Sequence, residues 1–158
     1  NDFIEPGNLA YGSMHGGKGN DEIRAGEIGM NLYGGDDDDY LYGGSGDDII
    51  VGGDGNDQLF CGADQDTLEG GAGHDQLQGG SGDDVLSGQD GIDVLHGDGG
   101  LDWIDGGADR DLLDGGDDAL VDRVIGGSGP DFFVVEWRFY DGGIHYFEDD
   151  VFDFLPQE

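Results

Sequence analysis

An all-β solenoid of short parallel strands, coiled two repeats to the turn, is the fold this sequence predicts, and three observations predict it. From Gly16 to about Val134 the chain repeats every nine residues in the form Gly-Gly-x-Gly-x-Asp-x-aliphatic-x. Glycine supplies 36 of the 158 residues, about three times its usual share, which calls for many tight or left-handed backbone positions. The eighth position of the repeat is never polar.

Residues 1–15 precede the period, and their apolar side chains Phe3, Ile4, Leu9, Tyr11 and Met14 are expected to cap the open end of a core. Over 16–134, position one falls at Gly16, Ala25, Gly34, Gly43, Gly52, Cys61, Gly70, Gly79, Gly88, Gly97, Gly106, Gly115 and Gly126. Position eight then reads Ile23, Leu32, Leu41, Ile50, Leu59, Leu68, Leu77, Leu86, Leu95, Ile104 and Leu113. Position six reads Asp21, Met30, Asp39, Asp48, Asp57, Asp66, Asp75, Asp84, Asp93, Asp102 and Asp111, so one copy lacks the aspartate. The copy from Gly115 carries two extra residues; placing them in its turn restores both columns, with Asp122 and Val124, and then Asp131 and Phe133. A distorted turn and a weakened ion site are expected there.

Within each copy, the six residues rich in glycine and aspartate form a turn, because glycine reaches positive φ freely and Asp tolerates it next best. Asp37, Asp64 and Asp109 replace glycine at position four in three of the copies, in keeping with that rule. The other three residues form a very short strand with its central side chain inward. Helix is excluded, since each interior glycine costs roughly 1 kcal/mol relative to alanine. Strands two copies apart become sheet neighbours, so two parallel sheets enclose a core one residue thick in a rod about 30 Å long.

The formal net charge is −33, from 38 acidic against 5 basic side chains. Nucleic acids and anionic membranes need a basic face and are poor partners. Two carboxylates about 4 Å apart repel by about 4 kcal/mol at an effective dielectric near 20. A chain that stacks aspartates in register therefore needs counter-cations to compact. Oxygen is all the turns offer, which suits calcium, whereas His15, His74, His96 and His145 form no column and zinc is not expected. Cys61 replaces a position-one glycine and has no partner for an internal disulfide. No transmembrane run is present, and Asn1-Asp2-Phe3-Ile4-Glu5-Pro6 does not look like a secretory signal, so a piece of a longer polypeptide is expected.

The segment Gly16 to Val134 closely resembles the haemolysin-type calcium-binding repeats of RTX toxins, secreted metalloproteases, lipases and alginate epimerases. The resemblance implies a right-handed parallel β-roll with calcium, on the order of ten ions, between turns stacked on the same side. By the same resemblance each ion takes position-six aspartates from copies two apart: Asp21 with Asp39, Asp39 with Asp57, Asp48 with Asp66, Asp57 with Asp75, Asp66 with Asp84, Asp75 with Asp93, Asp84 with Asp102, Asp93 with Asp111, and Asp111 with Asp131. Asp102 with Asp122 is the pair that the insertion puts in doubt, and Met30 should spoil the pocket it would share with Asp48. The remaining implied ligands are main-chain carbonyls of the turns: Gly34 and Gly35; Gly43, Gly44, Ser45 and Gly46; Gly52, Gly53, Asp54 and Gly55; Gly70, Gly71, Ala72 and Gly73; and Gly79, Gly80, Ser81 and Gly82.

Beyond Val134 the period stops and Trp137, Phe139, Tyr140, Tyr146, Phe147, Phe152 and Phe154 crowd residues 135–158, which reads as an aromatic cap over the last core layer. Gly129 to Val134 and His145 to Leu155 resemble the end of secreted RTX proteins, where an uncleaved export signal resides; secretion is implied. Arg24, Tyr33, Tyr42 and Phe60 share position nine and are expected to face outward. The chain lacks His-Glu-x-x-His and Gly-x-Ser-x-Gly, and a repeated carboxylate column argues against one unique acid and one unique base, so catalysis is not expected. Two functions remain: a calcium-triggered folding module supporting export and stability of a larger secreted protein, or a calcium-rigidified structural or adhesive element of the cell surface, with carbohydrate as a candidate ligand.

Overall fold

The computed structural model describes residues 1–5, 12–116, 120 and 122–134, together with the strand backbones at 137–140, 143–146 and 150–152. Two eight-stranded sheets, parallel throughout, hold the repeats. Odd copies feed one sheet and even copies the other, so hydrogen-bonded neighbours lie two copies apart: Tyr40–Ser45, Gln58–Ala63, Gln76–Ser81 and Val94–Gly99 are consecutive strands of the first, and Asn31–Asp36, Ile49–Asp54, Thr67–Ala72 and Val85–Asp90 of the second. The expected β-roll is what forms, and the described residues contain no helix. Accordingly, none of them belongs to a helix long and apolar enough to cross a membrane.

Position eight builds the core. Ile23, Leu32, Leu41, Ile50, Leu59, Leu68, Leu77, Leu86, Leu95, Ile104 and Leu113 are all at most 1% exposed and form one cluster. Each stacks on the equivalent residue two copies away, as Ile50 on Leu68 and Leu68 on Leu86. Adjacent side chains on a strand point to opposite faces, so positions seven and nine of every copy are left on the outside.

The strands differ from expectation in length: most run six residues, not three, as in Gln58–Ala63. Position one lies two residues beyond position eight and so shares its inward face; glycine there, or the buried Cys61, keeps the strand going without adding bulk to a thin core. Position two then continues the ladder at positive φ, 123° at Gly53 for example. Side chains occur at that position only with the backbone drawn nearer the left-handed helical region, at Gln89 (76°) and Asp98 (69°). Asp37, Asp64 and Asp109 adopt the same compromise at position four, with φ of 80°, 79° and 73°, as the turn argument requires.

The ladder also reaches into the segment that precedes the period. Phe3 pairs with Glu22 and Ile4 with Ile23, while Ser13–Lys18 pairs with Asn31–Asp36 and buries Met14 beside Leu32. Leu9 and Tyr11 lie outside the described residues. At the other end Asp150–Phe152 adds to the second sheet beside Arg123–Ile125, and Trp137–Tyr140 forms an antiparallel pair with Gly143–Tyr146. The aromatic side chains expected to cap that end lie outside the described residues.

Candidate metal centre

Every described position-six aspartate up to Asp122 is buried, between 0% and 4% exposed, at the corner where turn becomes strand. One carboxylate oxygen of each is spoken for. Oδ1 accepts the backbone N–H of the position-six residue two copies earlier: Asp21 N–H to Asp39 at 2.7 Å, Asp39 to Asp57 at 2.7 Å, Asp57 to Asp75 at 2.8 Å, and onward to Asp111 N–H to Asp131 at 3.1 Å. On the opposite edge Asp48 accepts from Met30 at 2.6 Å, Asp66 from Asp48 at 2.7 Å and Asp84 from Asp66 at 2.9 Å. Two files of carboxylates result, one along each edge of the roll, and they contain every aspartate pair the sequence put together. Asp102 and Asp122 are joined in the same way at 2.9 Å, so the two-residue insertion is absorbed before Asp122; residues 117–119 and 121 of that turn lie outside the described residues.

Ten of the aspartates in these files keep a second oxygen without such a partner. Oδ2 of Asp21, Asp39, Asp48, Asp57, Asp66, Asp75, Asp84, Asp93, Asp111 and Asp131 is buried without a hydrogen bond, an arrangement that costs several kcal/mol per ionised group unless a cation supplies what is missing. Where position one is glycine, this oxygen occupies the space where a β-carbon there would project, and in copies up to that of Asp111 the position-one carbonyl oxygen two copies on borders the same space. At Gly52 that added carbon would collide with Oδ2 of Asp57 and lie 2.6 Å from the Gly70 carbonyl oxygen. The aspartate thus favours glycine, and the copy with Cys61 beside Asp66 is the one in which a β-carbon shares that space. Ala25, which has a β-carbon, belongs to the one copy in which Met30 replaces the aspartate, and Met30 is 1% exposed in the core.

Main-chain oxygens complete the surroundings. Among the implied ligands, Gly34, Gly43, Gly52, Gly70 and Gly79 lie on the inward face, and the carbonyls of Gly52 and Gly70 border the aspartates of the copies two before them. The carbonyls of Gly35, Gly44, Gly53 and Gly62 point at the position-two glycines of Gly53, Gly62, Gly71 and Gly80. At position four those of Gly55 and Asp64 point at Gly73 and Gly82. Position three is different: the carbonyls of Asp54, Ala72 and Ser81 already accept turn N–H groups, from Asp37 at 2.7 Å, Gly55 at 2.8 Å and Asp64 at 2.9 Å. Ser45 and Gly46 close the equivalent turn, where Ser45 N–H donates to Gly26 and Gly46 N–H to the Asp64 carboxylate. No three His, Cys, Asp or Glu side chains converge among the described residues, so a cation here takes carbonyls to fill its shell. That all-oxygen set fits calcium and does not fit zinc.

Burial pushes the carboxyls up: Asp57 and Asp66 to about 7, and Asp48, Asp75 and Asp111 to about 6. The backbone N–H bond to each pulls the other way, and like charges along the file, such as Asp75 and Asp39 about Asp57, add to the rise. Asp39, Asp84 and Asp93 are raised for the same leading reason. A carboxyl raised in the folded state binds protons more tightly there, so its contribution is fully present below about pH 4 and is lost as pH rises through 6 to 7. Metal-free protein should therefore gain β-structure as pH falls from 7.5 to 5. Circular dichroism in the presence of a chelator checks this, and a signal that weakens on acidification would contradict it.

Comparison with known families matches this chain to the RTX calcium-binding nonapeptide repeat, in four copies, over residues 13–27, 31–59, 62–95 and 87–119. The chain belongs to this family. A calcium-binding RTX β-roll is accordingly what the two carboxylate files build, and calcium ions are its partners. No curated protein matches the sequence. Two features of the RTX sites were not read from the sequence. Asp2 sits directly before Phe3 and Ile4, its N–H donates to Asp21 Oδ1 at 2.5 Å, and its carbonyl accepts from Glu22 at 2.8 Å, as a position-six residue would. The signal was Asp2-Phe3-Ile4-Glu5, which repeats Asp-x-aliphatic-x ahead of the first full copy. The second is the ladder at position five, where Asn56 N–H bonds Asp38 at 2.9 Å, His74 N–H bonds Asn56 at 3.0 Å and Ile92 N–H bonds His74 Nδ1 at 2.9 Å. It places His74 in a turn ladder. Cys61 is buried at position one beside Asp66, where burial first and the nearby carboxylates second push its thiol far up and leave it unreactive.

Proposed function

We propose that this roll is a folding module of a larger secreted polypeptide, unfolded at low calcium inside the cell and folded by calcium outside it, where it supports export and stability. The buried Oδ2 atoms carry the reading: a file of desolvated carboxylates is tolerable only with cations between its members. Asp21, Asp39, Asp57, Asp75, Asp93, Asp111 and Asp131 would hold ions on one edge, and Asp48, Asp66, Asp84, Asp102 and Asp122 on the other, with carbonyls of positions one, two and four from the stacked turns. That makes on the order of ten ions. Calcium supplies charge neutralisation and a cross-link between turns, and catalysis plays no part in the role of this chain.

Extracellular calcium modules work at about 10⁻⁴ to 10⁻³ M. A calcium titration followed by calorimetry and circular dichroism tests the reading. Folding and binding should share a midpoint in that range, and nanomolar binding would contradict an export switch, since such a chain would already fold in the cytosol.

Met30 leaves Asp48 facing a rung without a second carboxylate. The double variant Ala25→Gly, Met30→Asp supplies both the ligand and the space for it, and should bind about one further calcium ion with a higher melting temperature at saturating calcium. Met30→Asp alone should do worse than the pair, because the Ala25 methyl group competes with the new carboxylate. Equal behaviour of single and double variants would break the proposed link between positions one and six.

A further inference from the structure

Four strands of the first sheet carry rings and amides side by side on their outer face. Positions seven and nine of four successive strands present Tyr40 and Tyr42, Gln58 and Phe60, Gln76 and Gln78, then Val94 and His96, without a carboxylate among them. The rings of Tyr40, Tyr42 and Phe60 touch one another at centroid distances of 5.2 to 5.4 Å, and the Arg24 guanidinium lies 5.3 Å from the Tyr42 ring. Tyr33 is absent from this strip: it lies on the second sheet, stacked on His15 at 4.7 Å. Beyond Phe60 the file opens into a cleft of about 170 Å³ lined by Phe60, Gln76, Leu77, Gln78, Val94 and His96. Gln78 leans out of the file to donate to Asp98 at 2.6 Å, and His96 is held by Asp114 at 3.4 Å, so the Phe60 and His96 rings flank the opening.

We propose that this cleft and the adjoining rings bind a neutral oligosaccharide lying along the rod. A pyranose has an apolar C–H face and a rim of hydroxyls. The Phe60 and Tyr42 rings match the first and the amides of Gln76 and Gln58, each able to donate and accept, match the second. No lysine or arginine lines the cleft, Arg24 beside Tyr42 is already paired with Glu22 at 2.6 Å, and the chain carries a charge of −33, so an anionic glycan is disfavoured. A purely apolar ligand would bury the glutamine amides unpaired. The β-roll repeats its rungs about every 4.8 Å, which spreads the same ring-and-amide chemistry along one direction and favours a chain over a single sugar.

Native gel electrophoresis in millimolar calcium, through gels containing a soluble β-glucan, a galactomannan, dextran or hyaluronan, tests the proposal with the whole chain. At least one neutral polymer should retard the protein, and Phe60→Ala and Gln76→Ala should each raise the dissociation constant about tenfold, while Thr67→Ala on the other sheet leaves it unchanged. Phe60→Leu, which keeps an apolar side chain without the ring, should lose binding as Phe60→Ala does. Far-UV spectra of each variant in calcium separate loss of this site from loss of calcium-dependent folding. Retardation by hyaluronan alone, by none of the polymers, or equally in Phe60→Leu and the parent would overturn the proposal.

Discussion

Exhaustive chelation at pH 7.5 is expected to abolish the β-sheet signal of this chain, and restored millimolar calcium to bring it back. The magnitudes leave little alternative. Apart from the Met30 rung the carboxylates of each file follow one another two copies apart, ten of the aspartates keep one buried oxygen without a hydrogen bond, and burial already holds Asp57 and Asp66 near 7. At pH 7.5 most of these groups must ionise, and each does so against desolvation and its neighbours' charge. Against this the core offers one aliphatic side chain per copy, roughly 1.5 to 3 kcal/mol for each fully buried residue. The nine ordered residues of each copy also lose backbone entropy, so the repeat does not hold itself together when its carboxylates repel. A β spectrum unchanged after chelation would refute calcium-coupled folding.

The second large effect is expected from Leu68→Ala. Leu68 is fully buried midway along the roll, stacked between Ile50 and Leu86, and nothing lies behind it except the facing sheet. Truncating a buried leucine costs about 2 to 5 kcal/mol, and the upper part of that range applies where the surroundings cannot collapse. Here they cannot, because hydrogen bonds in both sheets fix the spacing of the rungs. In a solenoid each repeat rests only on its neighbours, so the lesion divides the molecule into two shorter stacks. At saturating calcium, Leu68→Ala should lower the melting temperature and broaden the transition. Val124→Ala, near the end of the described core, should do less. The opposite ranking would show that the roll does not melt as coupled neighbours.

Much of this was readable from the period because one residue type answers to one physical demand. Position eight must be apolar and inward, and every member of that column up to Val124 is in the core, with Phe133 packed against it. Aspartate at position six predicts its own pairing, since a two-copy coil places residues 18 apart side by side. Strand length is not legible in the period, because glycine there signals a turn, yet at Gly52 and Gly70 it is a strand residue beside a carboxylate that leaves room for little else. The N–H bond that occupies one oxygen of each aspartate was also hidden, because it joins a side chain to the backbone of another copy and leaves no mark on composition. Asp2 is obscured for a simpler reason: its fragment of the repeat stands apart from the rest of the series.

Alternation of successive copies between the two sheets sets a rule for how such a chain can lengthen or shorten. Removing nine residues would send every later strand to the opposite sheet and exchange the two ion files, whereas removing 18 preserves each pairing. The outward face obeys the same parity. Deletion of Cys61–Glu69 would bring Gln76 and Gln78 beside Ile49 and Val51, parting them from Phe60, while deletion of Cys61–Gln78 would set Val85 and Ser87 beside Ile49 and Val51 and keep Phe60 on its own sheet next to His96. The nonapeptide is the unit of sequence, but the heritable unit of architecture is its double.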